Sequence, residues 1–548
     1  MIYFDILLFL LALLSCGAAY WLAGYAERVP DTRWRICYLI PAIIGILFSL
    51  HEGAEQCMAG VYLALLLLTA GVFSQKAAVR KKAAAAGALC ALTALPLCLL
   101  IPSYRRKDYA ADFRKGFSYM KKYYLLAEHK QLDLDALYQK YLPDFEAATA
   151  QKDAIANEIA WTKFCAEFHD GHVGYSSSRS VSNQALAQAS GHDYGLVIVT
   201  LSDGKTVAVQ TDASLEKYGI RNGTEILTWN GMTPAEADRQ SELYAARSFA
   251  DIDNEQFYAG ICAAGTGGET VPVEFLDENG SVQRADLPQL SAPYSERLEA
   301  ALDVLNRGVN ADNLQFTELD DTTVCLRIRD MMDDTKSMES GDFSTVQRRL
   351  RSELVSFRKQ GIRNAVIDIR SNGGGTDGIV TAVAELFAPE GEHYYVTNGV
   401  WDEQNRCFIR EENGRFKTGG DVTFNGEQLL GDGHIVLLVN SGSASASDHL
   451  CHVLRGMENV TVMGFTESNG SAQGVFGLNL DYGSLSFSSS VMLEKDGSIF
   501  IDSGADRQSG NGLDIRVPLD ETAVNALFEK DEDYVLEQAL DLLHEKYP

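Results

Sequence analysis

The sequence predicts an α/β protein with an N-terminal multi-span α-helical membrane region, a helical segment, a β-rich module and an α/β core. Three observations lead there. The first hundred residues hold four apolar runs, residues 193–290 alternate apolar and polar positions in short runs, and from about residue 314 strand-like and helix-like patterns alternate.

The apolar runs are Ile6–Tyr25, Ile36–Leu50, Cys57–Phe73 and Ala83–Pro102. The first and last match the roughly 20 residues that a bilayer core requires. The loop with Arg28, Arg33 and Arg35 and the loop with Lys76, Arg80, Lys81 and Lys82 are basic, whereas the loop between runs two and three has no Lys or Arg. Positive loops stay in the cytoplasm. Residues 1–104 are thus expected to form about four transmembrane helices in contact with membrane lipid, in a multi-pass cell-membrane protein whose remaining domains are extracytoplasmic.

Charge divides the chain the same way. Residues 1–107 hold ten Lys or Arg against five acids, so a chain of net charge −28 leaves −33 on the rest. An acidic body of that size repels phosphate backbones, which sets nucleic-acid binding aside. The ten cysteines form no CxxC pair or zinc-like spacing; they read as isolated buried thiols, and no metal or cofactor is expected.

Residues 105–192 read as a helical part ending in a polar linker, because aromatic and apolar positions recur at helical spacing through YAADFRKGFSYMKKYYLLAEH and LDALYQKYLPDF before the polar stretch 176–192. Residues 193–290 read as a β-rich module, with Gly and Asn-Gly turns between YGLVIVTL, TVAVQT, EILTWNG and TVPVEFL. Residues 291–548 read as the α/β core, with strands at Asn364–Arg370, His434–Asn440 and Val460–Phe465, helices after the first two, and hairpin language after Gly474.

Three short motifs carry chemistry. NSGSASASD (440–448) sets serines where a strand turns into a helix, and free N–H groups at a helix start can hold an oxyanion. SNGGGTDG (371–378) formally satisfies the dinucleotide pattern GxGxxG, but no second feature supports that reading, and bare glycine N–H groups suit an oxyanion hole equally well. FHDGHVGY (168–175) offers two histidines; no third ligand cluster accompanies them, so metal is discounted.

In this order, around a module whose KYGIRNGTEILTWNGMTPAEA resembles a PDZ domain, the motifs FHDGHVGY, AVIDIRSNGGG, VLLVNSGSASASD and VMGFTESNG resemble the C-terminal-processing (tail-specific) and tricorn-like serine peptidases, from about residue 110 to 520. The resemblance implies a ClpP/crotonase-like core, a PDZ-like peptide-binding module, protein or peptide substrates, and a fold that often forms oligomers. It makes Ser445 the nucleophile. No Lys lies between Arg455 and Lys495, so the family's Ser/Lys style is excluded and its Ser/His style implied, with His172 as general base. Gly171 stands where that style can carry a helper serine. The family's C-terminal acid maps to Asp502, with Asp506 as the alternative, and the oxyanion donors to Ala446 and one glycine of Gly373–Gly375, with Gly374 as the central candidate. The expected function is a membrane-anchored serine endopeptidase acting on exposed or C-terminal protein segments; the alternative is a degenerate peptidase that binds peptides. A sensor or transporter is disfavoured because the apolar runs are almost free of ionisable residues.

Overall fold

The computed structural model describes residues 108–307 and 312–547. Residues 109–548 form one compact unit. The expectation of a multi-span membrane region, and with it the multi-pass localisation and the lipid partner, is corrected here. Among the described residues no helix is long and apolar enough to cross a membrane. The longest described helix, Leu134–Gln151, carries Asp135, Lys140, Asp144 and Glu146 along its length, and charges of that density oppose burial in hydrocarbon. The spans read in residues 1–104 lie outside the described residues.

Helices Tyr109–Tyr123, Leu134–Gln151 and Ala154–Ala166 form an aromatic layer. Phe113 is fully buried, stacked on Phe145 with centroids 4.0 Å apart and edge-on to Trp161 and Phe164. Asp133 and Asp153 start the second and third helices, each accepting N–H groups of the first turn. The third helix runs into the loop 167–173, then strand β1 (Gly174–Ser176). The stretch expected as a linker is instead a helix, Arg179–Ser190, with Ala185 and Ala189 buried. Alanines four apart give a narrow face that packs closely, which a polar composition conceals.

The β-rich module contains β2 (Val197–Thr200), β3 (Thr206–Val209), β4 (Ile226–Trp229), β5 (Thr270–Leu276) and β6 (Val282–Pro288). β2 and β3 form an antiparallel pair, and β4–β5–β6 a second antiparallel sheet.

The core begins with β7 (Gln315–Glu318), β8 (Thr323–Arg327), helix Ser344–Gln360, β9 (Asn364–Asp368) and helix Asp377–Phe387. An arm follows, with β10 (Gly391–Gly399), the small ribbon β11 (Trp401–Asp402) and β12 (Cys407–Phe408), and β13 (Thr418–Gly426). Then come β14 (Ile435–Leu438), helix Ala446–Leu454, β15 (Val460–Gly464), the hairpin β16 (Val475–Asn479) and β17 (Ser484–Ser488), β18 (Met492–Leu493), β19 (Ile515–Arg516) and two closing helices. The main sheet has the order β19-β15-β14-β9-β8-β7, parallel except at β7.

β8, β9 and β14 are buried on both faces, as strands of a covered parallel sheet are. Alternation sorts their side chains. Ala365, Ile367, Ile435 and Leu437 join the core beneath helices 344–360, 377–387 and 446–454. Val366, Val436 and Leu438 join a core continuous with Val197, Trp229 and Phe275 of the module. Cys165, Cys262, Cys325 and Cys451 are buried free thiols, and Cys407 is exposed.

Candidate active site

Three loops leave the carboxyl ends of β9, β14 and β15 side by side, the place where open parallel sheets gather ligands. They are laced together by side-chain amides. Asn440 Oδ1 accepts from Ser371 N (2.7 Å) and Gly442 N (3.0 Å), and Asn372 Nδ2 donates to Ile328 O (2.8 Å). Ala444 N donates to Asn372 O at 2.9 Å, and Ser443 Oγ to Ile369 O at 2.8 Å. Behind them Arg370 is clamped between Asp368 and Asp533, the residue that starts the last helix.

Ser445 sits at the turn from β14 into helix 446–454, with φ +59° and ψ −123°. A non-glycine residue in that region costs about 1–3 kcal/mol, and the laced loop enforces it. The geometry is that of a strained strand–turn–helix elbow, which presents a side chain at the top of a sheet. Ser445 N donates to Ser471 O and to Asp448 Oδ2, both at 3.0 Å. Asp448 also accepts from Gly470 N and Ser471 N. Burial pushes the Asp448 carboxyl up to about 6, against these donors and Ser468.

Gly374 lies directly against the elbow: a Cβ there would fall 2.5 Å from Ser445 Cβ and 3.0 Å from Ala446 N. Its own N–H is taken by Asn372 Oδ1 at 2.9 Å. Among the described residues the N–H groups of Ala446 and Gly375 have no acceptor. Gly375 is exposed, at φ +148°.

The loop with His172 reaches this elbow through one residue. Gly171 N donates to Ser471 Oγ at 2.7 Å, and the carbonyl of the same Ser471 accepts from Ser445 N. A Cβ on Gly171 would fall 2.3 Å from Asn469 Oδ1, so a side chain at this position would require the Asn469 amide to move. His172 N donates to Asp170 Oδ1 at 2.9 Å, and Asp170 Oδ2 accepts from Ser488 Oγ at 2.8 Å. His172 Nδ1 is buried and has no hydrogen-bond partner. Burial holds the imidazole below the usual histidine range; Asp170 opposes that shift and His449 adds to it.

Asp502, the sequence candidate for the acid, is 4% exposed. Its Oδ2 accepts from Ala472 N, Gln473 N and Gln473 Nε2, at 2.8, 3.1 and 3.0 Å. Burial, then the neighbouring charge of Asp170, pushes its carboxyl up to about 7 against Lys130. The carboxylate whose charge acts on His172 is Asp170. Asp506 lies on an exposed turn, accepting from Gln508 N at 3.3 Å.

Sequence reasoning missed Asp170, although it stands inside the DGH motif, and missed Ser471 and His449. His449 is fully engaged: Nδ1 lies 2.8 Å from Asp377 Oδ1 and 2.7 Å from Tyr395 Oη, and Nε2 lies 2.8 Å from Ala472 O. Burial opposes its charge, but the hydrogen bond and charge of Asp377 outweigh it and hold the imidazole above the usual range. Contacts at both ring nitrogens make His449 a structural residue.

Comparison with known proteins supports a serine-type peptidase. Residues 324–506 match peptidase family S41, which supports the resemblance seen in the motifs. The matched stretch includes Gly374, Ser445 and Asp502, and not His172. No curated protein matches. Among solved structures, mature CPAF complexed with lactacystin shares 12% identity at a TM-score of 0.49, covering 80% of this chain and 98% of that one. A putative peptidase from Parabacteroides merdae shares 15% at 0.42, covering 80% and 97%. The photosystem II D1 C-terminal processing protease shares 16% at 0.32, covering 76% and 97%.

Proposed function

We propose that this serine peptidase is an endopeptidase that cuts exposed or C-terminal segments of proteins by a Ser/His mechanism. Ser445 Oγ attacks the scissile carbonyl. His172 takes the hydroxyl proton and returns it to the leaving amine. Asp170, rather than Asp502, stabilises the imidazolium that forms. Ala446 N–H and Gly375 N–H hold the oxyanion; Gly374 supplies the close approach and not the donor, since its N–H is already bound to Asn372.

The observation that carries this reading is the contrast between two histidines. A structural histidine has its ring nitrogens satisfied, as His449 does. His172 keeps a buried Nδ1 without a partner, as His169 does, and of the two it is His172 that directly follows Gly171, whose N–H is bonded to Ser471 beside the strained serine. A buried group left unpaired costs about 1–3 kcal/mol, which a resting fold tolerates where a substrate or transition state completes the set. The β-rich module next to the sheet supports a peptide-holding role of the PDZ type, in which an extended chain adds to a strand edge.

The test is fluorophosphonate labelling of the full chain, beside Ser445→Ala and His172→Ala. Labelling of the wild type alone supports the pair. A folded wild type that does not label favours the peptide-binding alternative.

A further inference from the structure

Lys130 is a buried charge that the mechanism above does not use. It lies in the turn between the first two helices of the aromatic layer and is 7% exposed. Its Nζ has three acceptors on two other segments: His169 O at 2.9 Å, Ser503 O at 2.8 Å and Ser503 Oγ at 3.2 Å. Ser503 Oγ in turn donates to Ala250 O at 2.7 Å. One ammonium therefore joins the start of the DGH loop to the residue after Asp502.

What it grips is the point where the loop needs gripping. His169 has φ +45°, a left-handed turn that bends the chain out of helix Ala154–Ala166 and aims Asp170, Gly171 and His172 at the elbow. A non-glycine residue relaxes from that conformation unless its peptide is held. Its carbonyl is held by Lys130. The neighbouring His129 repeats the tie, with Nε2 3.0 Å from Asp502 O.

The position demands charge as well as length. An apolar stem would fill the same space without desolvating an ammonium. Burial does lower the proton affinity of Lys130, as does Arg507, while Asp170 and Asp502 oppose the loss. Tyr124 faces the same two carboxyls and holds its proton well above the usual phenol range, first by burial and then by their charge. Lys130 is the cation that acts on Asp502 in this group. Asp170 and Asp502 can stand near one another because an ammonium lies between the loops that carry them.

We propose that Lys130 is a positioning residue of the peptidase reaction: it sets the loop of His172 relative to Ser445 by tying His169 to Ser503. The proposal rests on the Ser445–His172 reading. A shift of the base by about 1 Å lowers the chemical rate by up to about a hundredfold without touching substrate binding.

Lys130→Met keeps the stem and removes the charge; Lys130→Arg keeps the charge. Turnover of fluorescein-labelled casein by the full chain should fall about tenfold to a hundredfold in kcat for Lys130→Met, with KM changed less than about twofold, and Lys130→Arg should recover part of the loss. Amide hydrogen exchange at residues 169–173 should speed up in Lys130→Met while exchange in strand 364–368 stays as in wild type. Unchanged kcat in Lys130→Met, or a loss confined to KM, overturns the proposal. Equal exchange in the loop overturns it as well, and that measurement needs no activity. If Lys130→Met does not fold, Ser503→Ala removes one acceptor and should lower kcat by a few-fold; no change there overturns the clamp. A wild type that fluorophosphonate does not label at Ser445 sinks the parent reading and the positioning role with it, whereas labelling with an unaffected Lys130→Met sinks the positioning role alone.

Discussion

The nucleophile loop and the histidine loop meet at one site but are built by opposite means. The loop after β14 is fixed by neighbours from the same sheet: Asn440, Asn372, Ser443 and Asp448 together bind backbone groups of the loops after β9, β14 and β15. Its strain is held from all sides. The loop of His172 comes from the aromatic layer and is tied by long-range bonds to other segments, Gly171 N to Ser471 Oγ after β15, Ser488 Oγ of β17 to Asp170, and His169 O through Lys130 to Ser503 O. The placement of the Ser445 loop is thus a property of the sheet, while that of the His172 loop is a property of how two layers dock. Changes in the second region should alter catalysis with less effect on folding than changes in the first.

The largest effect expected is that of Ser445→Ala, a loss of about 10⁴-fold or more in kcat/KM with thermal stability nearly retained. His172→Ala should match it within about tenfold, because paired groups act as a unit; substantial residual activity would remove His172 from the mechanism. Asp170→Asn comes next, at about a hundredfold in kcat, since the charge facing the imidazole is lost while most of the hydrogen-bonding shape is kept. Asp502→Asn should cost less than Asp170→Asn and Asp506→Asn almost nothing. If Asp502 proves the more damaging of the buried pair, the acid is Asp502 and the comparison between the loops must be redrawn.

Ser471→Ala cuts the hydroxyl link between the loops and leaves Gly171 N–H without its protein partner, a change of about 0.5–1.5 kcal/mol at a partly buried contact. It should lower kcat about tenfold, measured with the same casein assay. Activity against pH checks the base directly. His172 must be neutral to accept a proton, and burial holds it below the usual range. The acid limb of kcat/KM should therefore have its midpoint below about 6.5, the ordinary histidine value. A midpoint well above that assigns the limb to another group.

The smallest expected effect concerns stability. Asp448 is raised to about 6 in the folded chain, against about 4 when unfolded. A raised folded value means that the native state binds more protons between the two, so its contribution is present below about pH 4 and is lost as pH rises to about 6. Wild-type stability relative to Asp448→Asn should decline across that window in chemical denaturation; a rise would show that the donors from Gly470 and Ser471 outweigh burial.

Much of this site was legible in the chain order of residues. A run such as NAVID or IVLL between turns is a strand buried on both faces, and strands alternating with helices pair in parallel, so the carboxyl ends of β9 and β14 had to share one edge. The glycine turn and the serine cluster follow those two strands directly, and adjacency in sequence to adjacent strands is enough to bring Gly374 against Ser445. The helix at Arg179–Ser190 was less legible, since its buried face is only alanine and serine.

Tertiary structure alone decided which carboxylate charge acts on His172, which N–H groups of the turn have no acceptor among the described residues, and what grips the His172 loop. Asp170 and Asp502 lie 40 and 372 residues after Lys130, and their grouping follows from the docking of the aromatic layer on the sheet, which no local pattern encodes. The N–H of Gly374 was lost to the side chain of Asn372 two residues earlier, a choice made by packing around the turn rather than by composition. Local pattern determines which strands and turns form, because that depends on side-chain periodicity within a few residues. Burial and charge pairing between distant segments determine which of the polar groups remain free to react.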